Sequence, residues 1–266
     1  MACCLDVQFL FNDNHEEPPN QLRDSTMSAE KKIRKLGVIG DVHAEHRRLS
    51  SAIKYLQSLD VDAIVCTGDI VDGLGCPNES IRLLDNEAIH TVRGNHDRWI
   101  LEGKARHVEH AHLASDLSKD ALRYLESLPR QVTLETIAGR LLLCHGVAHD
   151  DLRKVWPGTA STPVERSYLL DSIILENTYK YIINGHMHFR TLIHFENLTL
   201  INAGTLKGEY WPGFSAIDFD TQQISAFEFN DNQIKPLRER DLADETHKIW
   251  VNTQSFCGKW DPVMLF

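Results

Sequence analysis

Five short motifs stand in order along the 266-residue chain: Asp41-Val42-His43, Gly68-Asp69, Gly94-Asn95-His96-Asp97, His145-Gly146 and Gly185-His186-Met187-His188. They bring three carboxylates, one amide and five imidazoles. Imidazole mixed with carboxylate favours divalent transition metals over calcium. Asp41 and His43 are two residues apart and can face one ion. Asp69 follows Gly68, which permits a tight turn, and its two oxygens can bridge two ions. Asn95 offers a carbonyl oxygen, and His145, His186 and His188 offer ring nitrogens. Two ions about 3.5–4 Å apart can clamp a phosphoryl group and acidify a water held between them. That chemistry needs charge stabilisation more than a protein nucleophile.

His96 and Asp97 suggest the remaining parts. A histidine beside the ions can protonate a departing alkoxide or hydrogen-bond the phosphoryl oxygens. Asp97 is expected to orient His96 and raise its basicity, as carboxylates behind a functional histidine do. Arg93 and Arg98 flank this motif, and a guanidinium fork matches phosphate oxygens. Arg98 and Asn95 are therefore the candidate substrate-binding residues.

Each motif directly follows an apolar run. Strands are predicted at 36–40, 63–67, 89–92, 141–144 and 181–183, so each polar group sits at a strand end. In open α/β sheets ligands bind at the carboxyl ends of strands, where a rigid sheet lets distant residues converge. Helices are predicted at 46–59, 79–88 and 118–128 from their apolar spacing. Thr162-Pro163-Val164-Glu165 reads as a capping box opening a helix to about residue 176. Further strands are predicted at 191–195, 198–201, 214–219 and 224–229. After residue 230 few periods are visible.

The ordered set resembles the calcineurin-like metallophosphoesterase superfamily, whose pattern is D-x-H, G-D, G-N-H-[DE], H-G and G-H-x-H. The resemblance covers about residues 36–205. It implies an α/β fold of two packed β-sheets flanked by helices, a four-layer αββα sandwich. It implies one ion on Asp41, His43, Asp69 and His188 and a second on Asp69, Asn95, His145 and His186, with Asp69 the bridge. His96 would be the catalytic histidine, with Asp97 its partner. Two divalent ions are implied, manganese first, with iron, nickel, zinc, cobalt or magnesium as alternatives.

Protein serine/threonine phosphatases of this superfamily carry D-R-G after the second motif and G-N-H-E at the third. This chain has Gly68-Asp69-Ile70-Val71-Asp72-Gly73 and ends its third motif in Asp97. The block Asn202-Ala203-Gly204-Thr205 is similar to the turn of the compact YfcE-like phosphodiesterases, which often carry Cys where His96 stands. Arg93-Gly94-Asn95-His96-Asp97 also resembles symmetrical diadenosine-tetraphosphate hydrolases, although Ala44 replaces the glycine of their first motif. The expected activity is hydrolysis of a phosphoester, a phosphodiester before a monoester or a dinucleoside polyphosphate. A non-catalytic scaffold on the same fold is the competing class.

His46, His90, His107, His110, His112, His194 and His247 are taken as surface or core residues, and Asp72 as support for its loop. Trp99, Trp156 and Trp211 are taken as packing. A 42% hydrophobic and 25% charged composition is that of a soluble globular protein, and no apolar run is long enough for a membrane span. A net charge of -10 argues against general nucleic-acid binding but not against a small phosphoester, because two ions make a pocket locally positive. The six cysteines are scattered, which points to a reducing, cytoplasmic setting. Residues 1–32 are polar and aperiodic and are expected to be a disordered extension. Residues 33–229 are expected to form the phosphoesterase domain, and 230–266 an extension packed on it.

Overall fold

The computed structural model describes residues 31–231, 233–242, 249–258 and 263–264. The chain divides into two units, Met1–Lys31 and Lys32–Phe266. The expected disorder of residues 1–32 falls, apart from its last two residues, outside the described residues.

The second unit runs β1 (Lys35–Ile39), α1 (His46–Ser58), β2 (Ala63–Cys66), α2 (Pro77–Asn86), β3 (His90–Thr91) and α3 (Asn95–Glu102). It continues with α4 (Lys119–Ser127), β4 (Gln131–Thr136), β5 (Gly139–Cys144), α5 (Tyr168–Glu176), β6 (Tyr181–Asn184), β7 (Arg190–Phe195) and β8 (Thr199–Ala203). The last elements are β9 (Gly213–Asp218), β10 (Gln223–Asn230), β11 (Gln233–Asp241), β12 (Ile249–Trp250) and β13 (Val263–Met264). One sheet has the order β11-β10-β9-β1-β2-β3. The other has the order β12-β7-β8-β6-β5-β4, with β13 also paired to β7. Both are mixed: β1, β2 and β3 are parallel, as are β5, β6 and β8, while β9–β11, β4 and the β7–β8 pair are antiparallel.

Side-chain alternation explains why both central sheets read as apolar runs. Leu36, Val38 and Val65 point one way and meet Leu141, Leu143, Ile183 and Ile201 of the other sheet. Ile39, Ile64 and Cys66 point the other way, onto Leu49, Ile53 and Leu56 of α1 and Leu84 of α2. In the second sheet Leu142, Cys144 and Ile182 turn outward onto Leu170, Ile173 and Ile174 of α5. Four layers follow, helix, sheet, sheet, helix, in agreement with the expected αββα architecture.

Several elements depart from the sequence reading, among them α3, which begins within the third motif itself, and the short strands β12 and β13. The helix expected from Thr162 begins only at Tyr168. Glu165 instead exchanges two backbone hydrogen bonds with Trp156, at 2.9 and 3.0 Å, which holds it extended. The capping is done by Ser167, whose hydroxyl accepts from the Leu170 N–H. Strand β4, with Val132 and Leu134 alternating against polar neighbours, was not expected. Strand β11 carries Pro236 and five charged residues and lies at the sheet edge, where proline and charge are tolerated because one side needs no partner. Among the described residues no helix is long and apolar enough to cross a membrane.

Candidate metal centre

Asp41 follows β1, Asp69 follows β2, and Asn95 lies beyond β3. His145 follows β5, and His186 and His188 follow β6. The first three come from one sheet and the last three from the other. The loops that carry them are sharply bent. His43, Asp69, His186 and His188 all have positive φ, at 45°, 44°, 67° and 61°. Such backbone costs roughly 1–3 kcal/mol per residue and concentrates at functional sites. Gly185 permits a close approach to a ligand: a Cβ there would lie 2.1 Å from Asp41 Oδ1.

The seven predicted ligands converge as two overlapping groups. Ligand atoms of Asp41, His43, Asp69 and His188 all lie within 4.8 Å of one another, and those of Asp69, His145 and His186 do the same. Asp69 belongs to both. Asn95 Oδ1 lies 2.9 Å from His145 Nε2, which places the amide oxygen with the second group. For the carboxylate and imidazole residues this is the grouping the resemblance implies.

Polar neighbours fix each ligand. Thr67 Oγ1 donates to Asp41 Oδ1 at 2.8 Å, and the His186 N–H donates to Asp41 Oδ2 at 2.8 Å. The His96 N–H donates to Asp69 Oδ1 at 2.9 Å, leaving Oδ2 facing the imidazoles. His43 Nδ1 donates to the Asp72 carbonyl at 2.9 Å and His145 Nδ1 to the Thr67 carbonyl at 2.8 Å. Both rings therefore present Nε2 to the centre, the arrangement expected when a carbonyl fixes the tautomer of a metal ligand. Behind them, Asn202 Nδ2 donates to the Gly185 carbonyl at 2.6 Å, and Thr205 Oγ1 donates to the Asp41 carbonyl at 2.7 Å.

These atoms fit divalent ions. His145 Nε2 lies 2.9 Å from Asn95 Oδ1 and 3.3 Å from Asp69 Oδ2. Two acceptors so close to this nitrogen call for positive charge there, a proton on the imidazole when no metal is bound and a divalent ion in its place when one is. Burial works against charge on His145, yet Asp69 and Asp41 hold its pKa up at about 10. Burial pushes His43 and His186 down to about 4, the neutral state that a ligand needs.

His96 stands beside this cluster, its Nε2 4.0 Å from Asp69 Oδ2 and its ring against Trp99. Its partner corrects the sequence reading. His96 Nδ1 lies 2.7 Å from Asp72 Oδ2, not against Asp97. His96 and Asp97 are consecutive residues of α3, and consecutive helical side chains do not face each other. Asp97 instead accepts the N–H of Gly94 at 3.0 Å, Ile70 at 2.8 Å and Val71 at 3.3 Å. It caps α3 and ties down the Asp69 loop. Burial and the nearby Asp69 push its pKa up to about 6.

Arg98 is also reassigned. Its Nε and Nη2 donate to Asp151 at 2.6 and 2.9 Å, and Nη1 donates to Glu102 at 3.3 Å, so its fork is occupied by carboxylates. Sequence reasoning missed Tyr210, whose ring is 5.0 Å from that of His188, and Arg106 and His112, which reach Asp72. None of the three lies in a recognisable motif, and only the path of the loops brings them in.

The family model described as the calcineurin-like phosphoesterase superfamily domain matches residues 35–222. The serine/threonine-protein phosphatase 2 of Escherichia coli K12 is 26% identical over 198 residues, which span 65% of this chain and 88% of that one. A metallophosphoesterase structure from Sphaerobacter thermophilus superposes with a TM-score of 0.53 at 20% identity, over 77% of this chain and 89% of that one. A hypothetical protein of Pyrococcus horikoshii gives 0.61 at 14% identity, over 73% and 87%. The two structures share this αββα fold.

Proposed function

The chain belongs to the calcineurin-like phosphoesterase superfamily, and we propose that it hydrolyses a small-molecule phosphodiester at a dinuclear centre, with manganese as the working metal. One observation carries this reading: Asp69 is shared by two groups of ligands and lies beside the hydrogen-bonded pair His96 and Asp72. Bound divalent ions supply Lewis acidity and a water acidic enough to attack phosphorus at neutral pH.

The protein's own groups complete the task. Asp41, His43 and His188 hold one side of the centre, and Asn95, His145 and His186 hold the other. Asp72 accepts from His96 Nδ1 and so leaves Nε2 as the atom that carries a proton to the departing oxygen. Burial works against a charged His96, but Asp69 and Asp72 raise its pKa above the ordinary histidine value, which favours the acid form. The Trp99 ring packs against that of His96, 4.9 Å between centroids at a tilt of 56°.

The diester is favoured by charge. Arg98 and Arg106, on segments beside the centre, are both committed to carboxylates. A singly charged diester asks less of protein cations than a doubly charged monoester. The E. coli relative named as a serine/threonine-protein phosphatase supports the second reading, a phosphomonoester. We place the protein in the reducing cytoplasm: burial raises the thiols of Cys66 and Cys144, the latter to about 12, so both stay protonated and inert there.

The test is hydrolysis of bis-p-nitrophenyl phosphate and p-nitrophenyl phosphate side by side, with added Mn²⁺ and a chelator control. Metal-dependent turnover of the diester in preference to the monoester is expected. Preference for the monoester would overturn the diester reading. Turnover of neither by protein carrying two ions would favour a scaffold.

A further inference from the structure

Asp72 is a crossroads. Its Oδ2 takes His96 Nδ1 at 2.7 Å and Arg106 Nη2 at 3.0 Å, while its Oδ1 takes Arg106 Nη1 at 2.8 Å and the His112 N–H at 2.9 Å. Its own N–H donates to His112 Nδ1 at 3.1 Å. Arg106 is itself locked, because Nε donates to the Lys104 carbonyl at 2.7 Å and Nη1 donates also to the His112 carbonyl at 2.7 Å. The segment 104–112 thus closes on Asp72 through a paired guanidinium–carboxylate contact, the strongest and most directional form of such a bond.

Without that contact nothing in the second motif holds the carboxylate. Asp72 has a positive φ of 66°, so its loop is bent rather than braced by a sheet. Gly73 cannot supply a side chain, since a Cβ there would lie 1.9 Å from the His43 carbonyl oxygen. Arg106 brings a guanidinium to Asp72 from beyond α3.

The geometry points to Arg106 as a positioning residue for phosphoester hydrolysis: it fixes the Asp72 carboxylate so that Oδ2 aims at His96 Nδ1, and thereby fixes the direction of His96 Nε2. Arg106 touches neither ligand group, and its four N–H contacts are all spent on Asp72 and on carbonyls of its own segment. The inference rests on the phosphoesterase reading for its kinetic consequence but not for its structural one.

The test uses the full chain with Arg106→Ala, Arg106→Lys, Asp72→Asn and the double variant Arg106→Ala/Asp72→Asn, with the exposed Arg82→Ala as control. Three quantities are read: bound metal, kcat and KM on a phosphodiester whose leaving group is an alkoxide, such as 3′,5′-cyclic AMP, and the NMR signal of the His96 Nδ1 proton, identified by its loss in His96→Gln. Arg106→Ala is expected to keep its metal, lose about 10- to 100-fold in kcat with KM nearly unchanged, and lose the protected ring proton. Arg106→Lys should recover little, because an ammonium cannot make the two parallel bonds. Added guanidinium should partly restore Arg106→Ala. The double variant should be no slower than Asp72→Asn, since both act through one group.

A raised KM at unchanged kcat, multiplying losses in the double variant, or an unaltered ring proton in Arg106→Ala would each overturn the assignment. If Arg106→Ala fails to fold, Arg106→Lys is read by the same three quantities and the same criteria. A wild-type protein inactive on every phosphoester, but whose His96 proton still depends on Arg106, would sink the hydrolase reading and leave this one standing. An active wild type indifferent to Arg106 would do the reverse.

Discussion

The Nε2 atoms of His43 and His188 stand 3.0 Å apart. His43 spends its Nδ1 proton on a carbonyl, so its Nε2 offers a lone pair to another ring nitrogen. A ring nitrogen with no proton to share, set this close to another, is placed to hold a cation with it. The pair is spaced as ligands of a common metal.

Removing ligands should therefore remove ions in a defined count. His188→Ala is expected to lose one ion per chain and Asp69→Asn to lose both, each with at least about 100-fold lower kcat/KM. Elemental analysis of the purified variants reads this directly. A full complement of metal in Asp69→Asn would contradict the shared-ligand geometry.

His96→Ala should separate chemistry from metal binding. Both ions are expected to remain, while kcat falls about 10²- to 10⁴-fold, the usual contribution of a positioned general acid. The loss should shrink for a substrate whose leaving group needs no proton, such as p-nitrophenolate. A leaving-group series run on wild type and variant checks this.

Asp97→Ala should act on stability. It strips acceptors from three backbone N–H groups, those of Gly94, Ile70 and Val71. A buried donor left unsatisfied costs about 1–3 kcal/mol. Denaturant unfolding of metal-loaded protein should show a loss of at least that size. A variant with unchanged stability and collapsed kcat would return Asp97 to the role that the sequence suggested.

The metal-free protein should be most stable near pH 6.5. His145 has a folded pKa of about 10 against 6.5 for an ordinary imidazole, so its stabilisation is complete below 6.5 and fades as pH rises toward 10. His43 and His186 titrate near 4 in the fold, so acidification from 6.5 to 4 protonates them first in the unfolded chain and lowers stability. Asp97, raised to about 6, opposes this between 3.8 and 6 but is one group against two. Thermal melts across pH 4–10 in a chelator check the shape, and saturating metal should flatten the alkaline limb.

The ligands were legible because their chemistry resides in residue type. Asp41, Asp69, His145 and the paired histidines could be read at strand ends because sheets covered on both faces leave apolar runs that stop where the loop begins. The partner of His96 was not legible. Sequence adjacency favoured Asp97, while the true contact depends on the left-handed turn at Asp72. Arg98 looked free until Asp151, 53 residues away, came into view. Strand β11 was hidden by its own solubility: charges and Pro236 suit an edge but spell no period.

Asp41, Asp69 and Asn95 hang from one sheet, and His145, His186 and His188 from the other. Each ion would thus be gripped from both sides of the seam where the sheets meet. Metal then acts as a rivet as well as a reagent: each ligand that holds it also clamps the two halves of the sandwich. Binding energy is returned as folding energy, by RT ln(1 + [L]/Kd), so chelation should loosen the seam before the outer helices. Withholding metal would then lower the stability of the fold as well as empty the site.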